Sequence, residues 1–224
     1  MTPPIEAVVF DLDGTLCERR RPGSEVLDAA FAAACVEPFF TLAEYHAKID
    51  DISDTGSGVD RRVRCFEALA EERGRDPTIG RAVADAYETE RDYTDVRFRP
   101  GAEAALAALG ERYPLALVTN GGPDTQRPKI GALDLAPEFE ATVLAGHETA
   151  AKPDPEPFVV ALDALDVPPA NAVYIGNSFE HDVVGAHAAG MQACWVPDEP
   201  SNHTADEEVP EYVLDSLTEY ETLL

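Results

Sequence analysis

From residue 101 onward, short apolar runs alternate with segments of helical period. The runs fall at 114–119, 141–145, 172–175, 192–196 and 211–214, and the helical segments at 102–112, 125–134, 155–166 and 180–190. One more run, Ile5 to Phe10, stands near the start. Apolar runs this short, without polar alternation, read as strands buried on both faces. Their alternation with helices predicts an α/β fold, a Rossmann-like parallel sheet covered by helices on both faces. Ligands of such sheets bind beyond the carboxyl ends of the strands, and the turn after Phe10 lies there.

Residues 24–93 break the pattern. Four segments, 24–36, 41–51, 58–73 and 78–93, carry apolar residues at helical spacing, with turn residues such as Gly56, Gly58, Gly74 and Pro77 between them. No strand is expected there. The chain therefore divides into an α/β core domain of residues 1–17 and 97–224 and an inserted all-helical cap domain of residues 18–96. Residues 197–210 read as a surface loop.

The chain carries 43 acidic against 17 basic residues, a formal net charge of −26. So acidic a surface repels phosphate backbones and anionic headgroups, so neither nucleic acid nor a membrane surface is an expected partner. No apolar run approaches the ~20 residues of a membrane helix. The N-terminus lacks a basic stretch followed by an apolar one, so no signal peptide is expected. Cysteines 17, 35, 65 and 194 have no CxxC spacing, which argues against a zinc site or a disulfide framework. A cytoplasmic location is the expectation. Self-repulsion at this charge disfavours a compact fold unless salt screens it, so a halophilic setting of high internal salt is expected as well.

Asp11-Leu12-Asp13-Gly14-Thr15 places two carboxylates two residues apart on a strand-end loop. Gly14 permits a tight turn, and backbone N–H groups there can face an anion. Two acids this close disfavour each other's ionisation unless a cation sits between them, and a hard divalent ion such as Mg²⁺ relieves that cost. The strand at 114–119 ends in Thr119-Asn120-Gly121-Gly122, a hydroxyl and a glycine turn. Lys152 stands in a Pro-bounded loop, one of three lysines in a chain with fourteen arginines, and suggests a point charge held for an anion. Gly176-Asn177-Ser178-Phe179-Glu180-His181-Asp182 follows another strand and opens a helix.

These four blocks, in this order, resemble the haloacid dehalogenase superfamily, most of whose members are phosphatases. The resemblance implies an in-line attack by Asp11 on phosphorus, giving an aspartyl-phosphate. It implies Asp13 as the acid for the leaving oxygen and then the base for water. Thr119 would bind a phosphoryl oxygen, and Lys152 would neutralise charge and orient Asp11. Gly14, Thr15, Asn120, Gly121, Arg20 and Arg127 are the expected substrate-binding residues. A Mg²⁺ cofactor would take Asp11, the Asp13 carbonyl and the fourth block, where Asn177 stands in place of the usual aspartate and Asp182 remains as a carboxylate. The helical insertion matches the small cap of the family, and the expected partner is a small phosphorylated metabolite. Two rival readings are a 2-haloacid dehalogenase, which needs no acid at position 13, and a non-catalytic binder of phosphorylated ligands. The triplet Arg19-Arg20-Arg21 either attracts an anionic substrate or forms a hinge tied to nearby acids. Lys129, like Arg127, follows the second block closely enough to reach the site.

Overall fold

The computed structural model describes residues 3–49, 52, 58–198 and 209–223. Gly56, the end of the expected 41–51 helix and residues 199–208 of the expected loop lie outside the described residues. The chain divides into two compact units, Met1–Glu18 with Val96–Leu224, and Arg19–Asp95.

In chain order the elements are β1 (Ala7–Phe10), β2 (Cys17–Arg19), α1 (Gly23–Ala33), α2 (Leu42–Ile49), α3 (Gly58–Glu72) and α4 (Pro77–Glu90). They continue with β3 (Val96–Phe98), α5 (Ala102–Gly110), β4 (Leu115–Asn120), α6 (Pro123–Ala132), β5 (Ala141–Ala145) and α7 (Glu156–Leu165). Last come β6 (Ala172–Gly176), one wide helical turn at Phe179–Val184 running into α8 (Gly185–Ala188), β7 (Gln192–Trp195), β8 (Tyr212–Val213) and a 3₁₀ segment, Leu217–Leu223.

The first unit is built on a six-stranded sheet of order β5-β4-β1-β6-β7-β8 with every pairing parallel. Successive strand residues point to opposite faces, and the core shows this directly. Val8 and Phe10 of β1 pack with Leu115 and Leu117 of β4 and with Ala105 and Leu109 of α5. Ala7 and Val9 pack on the other face, with Ala116 and Val118 of β4 and Phe158 and Leu162 of α7. Because β1 is covered on both faces, its sequence has no polar position to give up.

Two features of this unit escaped the periodic reading. Strands β2 and β3 form a two-stranded ribbon of their own, too short to show a repeat. The expected helix at 180–190 begins as a wide turn and becomes α-helical only from Gly185. Gly101 caps α5 at φ +84°, and a Cβ there would lie 2.3 Å from the Thr218 backbone nitrogen, so the C-terminal segment requires glycine at this point.

The second unit is helical, as its apolar spacing predicts. Pro77 sits at the first position of α4, and Asp76 caps that helix by accepting from the Thr78 N–H at 2.9 Å. The core is aromatic: Phe66 meets Phe40 at 4.7 Å and Tyr45 at 5.1 Å between ring centroids, both edge to face. Gly80 sets the approach of α4 to α3, since a Cβ there would stand 2.2 Å from the Phe66 carbonyl oxygen. Among the described residues no helix is long and apolar enough to cross a membrane.

Candidate active site

Register fixes where the chemistry collects. Phe10, the last residue of β1, pairs with Leu117 of β4 on one side and Ile175 of β6 on the other. Asp11 therefore emerges between the ends of β4 and β6, where the direction of winding reverses and a crevice opens. Asp11 is almost wholly buried, 6% exposed. Burial pushes it up to about 7, against the pull of Lys152 and with a further push from Asp182.

Lys152 holds that acid in place. Its Nζ donates to Asp11 Oδ1 at 2.8 Å, to Asp182 Oδ1 at 2.7 Å and to the Val118 carbonyl at 3.3 Å, and it lies 2.6 Å from the Tyr174 hydroxyl. Tyr174 in turn donates to the same Val118 carbonyl at 2.8 Å. Burial alone would pull the lysine down, but Asp11 and Asp182 outweigh it and raise its pKa. The lysine is thus a fixed cation shared by two buried carboxylates. The loop that carries it is pinned by Asn120, whose amide oxygen accepts from the Lys152 N–H at 2.8 Å and whose amide nitrogen donates to the Lys152 carbonyl at 3.1 Å.

Asp13 lies in a different environment, its side chain 43% exposed. Lys129 Nζ reaches both of its oxygens, at 2.7 and 2.5 Å. Gln126, one turn earlier on α6, donates to Asp13 Oδ2 at 3.0 Å, to Thr119 Oγ1 at 3.2 Å and to the Asn120 carbonyl at 2.6 Å, and accepts from Lys129 at 2.9 Å. Gly121 makes room for it: at φ +130° its missing Cβ would stand 2.8 Å from Gln126 Nε2. One face of α6 therefore binds the second acid while Lys152 binds the first.

The fourth block closes the site. Thr15 Oγ1 lies 3.2 Å from Asp11 Oδ2 and 3.4 Å from Asn177 Oδ1, drawing the carboxylate and the amide oxygen together. Asn177 is itself held, its side-chain nitrogen donating to Asp198 Oδ2 at 2.8 Å and its carbonyl accepting from the Trp195 indole at 2.8 Å. Gly14 sits at φ +81°, and a Cβ there would stand 2.4 Å from Asn177 Nδ2, so any other residue would be strained and would displace the Asn177 amide.

An oxygen-only donor set of Asp11, Asn177 and the Asp13 carbonyl fits a hard divalent cation, which takes one or two carboxylates and keeps room for water and phosphate. Asp182, the other carboxylate expected at the metal, accepts from Lys152 through Oδ1 and from the Ser178 N–H at 2.9 Å through Oδ2, so it also serves as a counter-charge of the lysine.

Other expected binding residues have partners of their own. Asn120 ties down the Lys152 loop with both ends of its amide. The Gly14 N–H bonds the Cys17 carbonyl at 2.8 Å and the Gly121 N–H the Ala145 carbonyl at 2.9 Å, so neither faces an open anion site. Arg127 is exposed on α6, and the residues of that helix turned to the acids are Gln126 and Lys129. Arg20 belongs to the helical unit, where its Nε lies 3.9 Å from Asp95. Gln126 and Tyr174 had no motif to announce them. A tyrosine inside an otherwise apolar strand was the available signal, because a buried hydroxyl needs a partner.

A carboxylate at the end of the central strand of a parallel sheet, paired with a buried lysine, puts a candidate nucleophile in the crevice of a Rossmann-like sheet. The family model for haloacid dehalogenase-like hydrolases matches residues 5–190, and the chain belongs to that family. It is 34% identical to the plasmid-encoded phosphoglycolate phosphatase of Cupriavidus necator over 201 residues, 86% of this chain and 81% of that protein. It is 40% identical to the phosphoserine phosphatase of Thermus thermophilus over 136 residues, 60% of this chain but only 54% of that protein. Among solved structures, the putative HAD-hydrolase YfnB from Bacillus subtilis, bound to magnesium, superposes with a TM-score of 0.75 at 22% identity, covering 98% of this chain and 99% of that one. A 2-haloacid dehalogenase from Pseudomonas syringae gives 0.65 at 25% identity, covering 98% and 97%.

Proposed function

We propose that this hydrolase is a phosphatase acting on a small phosphomonoester. The observation that carries the reading is the contrast between the two acids: Asp11 is buried on a lysine, and Asp13, two residues on, is half-exposed and held by a second lysine. One carboxylate is placed to attack and the other to exchange protons. Asp11 attacks phosphorus in line through Oδ2, since Oδ1 accepts from Lys152. The P–O bond to the leaving group breaks, and Asp13 donates its proton to that oxygen. Asp13 then takes a proton from water, which attacks the aspartyl-phosphate, releasing phosphate and freeing Asp11. Thr119, buried beside Gln126, is positioned to donate to a phosphoryl oxygen. Lys152 balances charge at Asp11 throughout. When Mg²⁺ is bound by Asp11, Asn177 and the Asp13 carbonyl, it supplies neutralisation of charge on the phosphoryl oxygens.

The relatives named as phosphatases support this chemistry, and they support a phosphorylated carboxylic acid as a first substrate to try. The second reading, a haloacid dehalogenase, draws on the Pseudomonas syringae likeness and on Asn177. Asp13 speaks against it, because displacing a halide needs no acid for the leaving group. Hydrolysis of para-nitrophenyl phosphate, 2-phosphoglycolate and phosphoserine should be measured in molar KCl with Mg²⁺ and with EDTA, beside an Asp11→Asn control. Turnover that depends on metal and on Asp11 is the expected result. Chloride release from 2-chloropropionate, with phosphate esters untouched, would transfer the assignment to the dehalogenase.

A further inference from the structure

Within the helical unit, Arg19, Arg21 and Arg91 line a cavity of ≈ 110 Å³ together with Glu90, Asp92 and Asp95. The acids do not balance these arginines evenly. Glu90 is engaged by Arg21, at 3.1 Å, and Arg21 also donates to the Glu25 carbonyl at 3.2 Å. Asp92 accepts from both the N–H and the hydroxyl of Thr94, at 2.8 and 2.6 Å, and Asp95 faces Arg20 at 3.9 Å. The next carboxylate, Glu88, is taken by Arg62 and by the Tyr93 hydroxyl.

Arg19 and Arg91 are left over. Among the described residues neither guanidinium has a carboxylate within ion-pair reach, and the Arg91 Nε–H is buried with no acceptor at all. Burial, then Arg19, then Arg62 pull the Arg91 pKa down, so the cation sits where cation is disfavoured. Its position is nonetheless fixed, with the rings of Tyr87 at 5.4 Å and Tyr93 at 4.8 Å from its central carbon. A guanidinium in contact with aromatic rings keeps its in-plane N–H fork for an acceptor of matching shape.

We propose that this cavity is an anion site in which Arg91 and Arg19 bind a small oxyanion, a phosphate or carboxylate group. Two parallel N–H···O bonds from the Nη groups of one guanidinium suit either group, the Nε–H lying sealed behind them. Space is sufficient: a water needs only ~10–15 Å³ by the same measure. The three acids on the lining keep the site close to neutral overall, which favours a single small anion over a polyanion. The proposal does not rest on the phosphatase reading, because no residue of the acid and lysine cluster takes part.

The test is a nuclear magnetic resonance titration of the whole chain, following the Arg91 Nε–Hε resonance assigned by its disappearance in Arg91→Lys. Potassium phosphate, or potassium acetate in a second arm, replaces KCl at constant ionic strength. The expected result is a saturable shift with phosphate, acetate or both, the two arms separating phosphate from carboxylate recognition. Arg19 is exposed, so Arg19→Gln leaves the helical core intact. It should raise the midpoint by ~10-fold, the worth of one charge-assisted hydrogen bond. Thermal shift gives an independent reading: Arg91→Lys, which keeps the charge but loses the fork, should lose part of the stabilisation that phosphate or acetate confers. No saturable shift in either arm, or a midpoint indifferent to Arg19→Gln, would overturn the proposal. The second of those results assigns the response to anion bound elsewhere.

Discussion

Lys129 Nζ contacts both carboxylate oxygens of Asp13, at 2.7 and 2.5 Å, from a side chain that is itself buried. Asp13 sits on the loop after β1 and Lys129 one turn beyond Gln126 on α6, so the helix after the second block sets the direction of the acid on the first. Removing the lysine takes away the contact that engages both Asp13 oxygens, while Gln126 still donates to one of them. Lys129→Met should therefore lower kcat far more than it raises KM. The loss should be largest, ~10- to 100-fold, for alkyl phosphates whose leaving oxygen needs a proton, general acid catalysis being worth ~10²–10⁴ in rate. It should be much smaller for para-nitrophenyl phosphate, which leaves without help. Equal losses on both substrates would mean that Lys129 acts only through folding.

Lys152 is the counter-charge of two buried acids, Asp11 and Asp182. Taking it away strands both, and breaking a buried ion pair from one side costs ~3–5 kcal/mol. Lys152→Met should lower the unfolding free energy by about that amount in urea titrations at neutral pH. Adding Asp182→Asn should restore part of the loss, since one of the stranded charges is then gone. A strictly additive double variant would show that the two residues do not interact.

The order of these blocks along the chain was readable because three of them end a buried strand, and a buried strand announces itself by an unbroken apolar run. Asp11 and Thr119 could be singled out in that way, and Lys152 as a rare lysine in a Pro-bounded loop; Lys152 bonds Asp11, and Thr119 is joined to Asp13 through Gln126. The partners Gln126 and Tyr174 could not, because what recruits them is a contact across the sheet rather than a spacing in sequence. Asp182 was legible as a carboxylate of the fourth block, but its contact with Lys152 was not. Two acids share one lysine there, and only the fold shows that the wide turn at Phe179–Val184 aims Asp182 at it. The short ribbon of β2 and β3 was silent for a simpler reason: three residues carry no period.

Asn177 supplies an amide oxygen where a second carboxylate would carry charge. Asn177→Asp adds a negative charge beside Asp11 and loses the hydrogen bond to Asp198. Without metal the added repulsion should lower the melting temperature, and with saturating Mg²⁺ that loss should be recovered. Half-maximal activation should fall to lower Mg²⁺ by ~10-fold, the equivalent of ~1.4 kcal/mol. An unchanged activation curve would place the metal away from residue 177.

The last expectation concerns the medium. At a net charge of −26 the folded chain repels itself, and the repulsion is felt most where acids lie within a Debye length. That length is ~10 Å at 0.1 M salt and ~3 Å at 1 M. Raising KCl from 0.1 to 2 M should therefore raise the melting temperature by several degrees, ~4 °C or more for each kcal/mol of repulsion screened in a domain of ~100 residues and about half that for a larger one. The ion pairs Arg62–Glu88 and Lys152–Asp11 are largely buried and should survive that screening, whereas exposed pairs such as Arg97–Glu18 weaken. Screening of repulsion and loss of exposed pairs oppose each other, and the excess of acids decides for the first. Differential scanning calorimetry across the salt series settles the sign: a melting temperature that stays flat or falls would mean that the acidic surface is not an adaptation to salt.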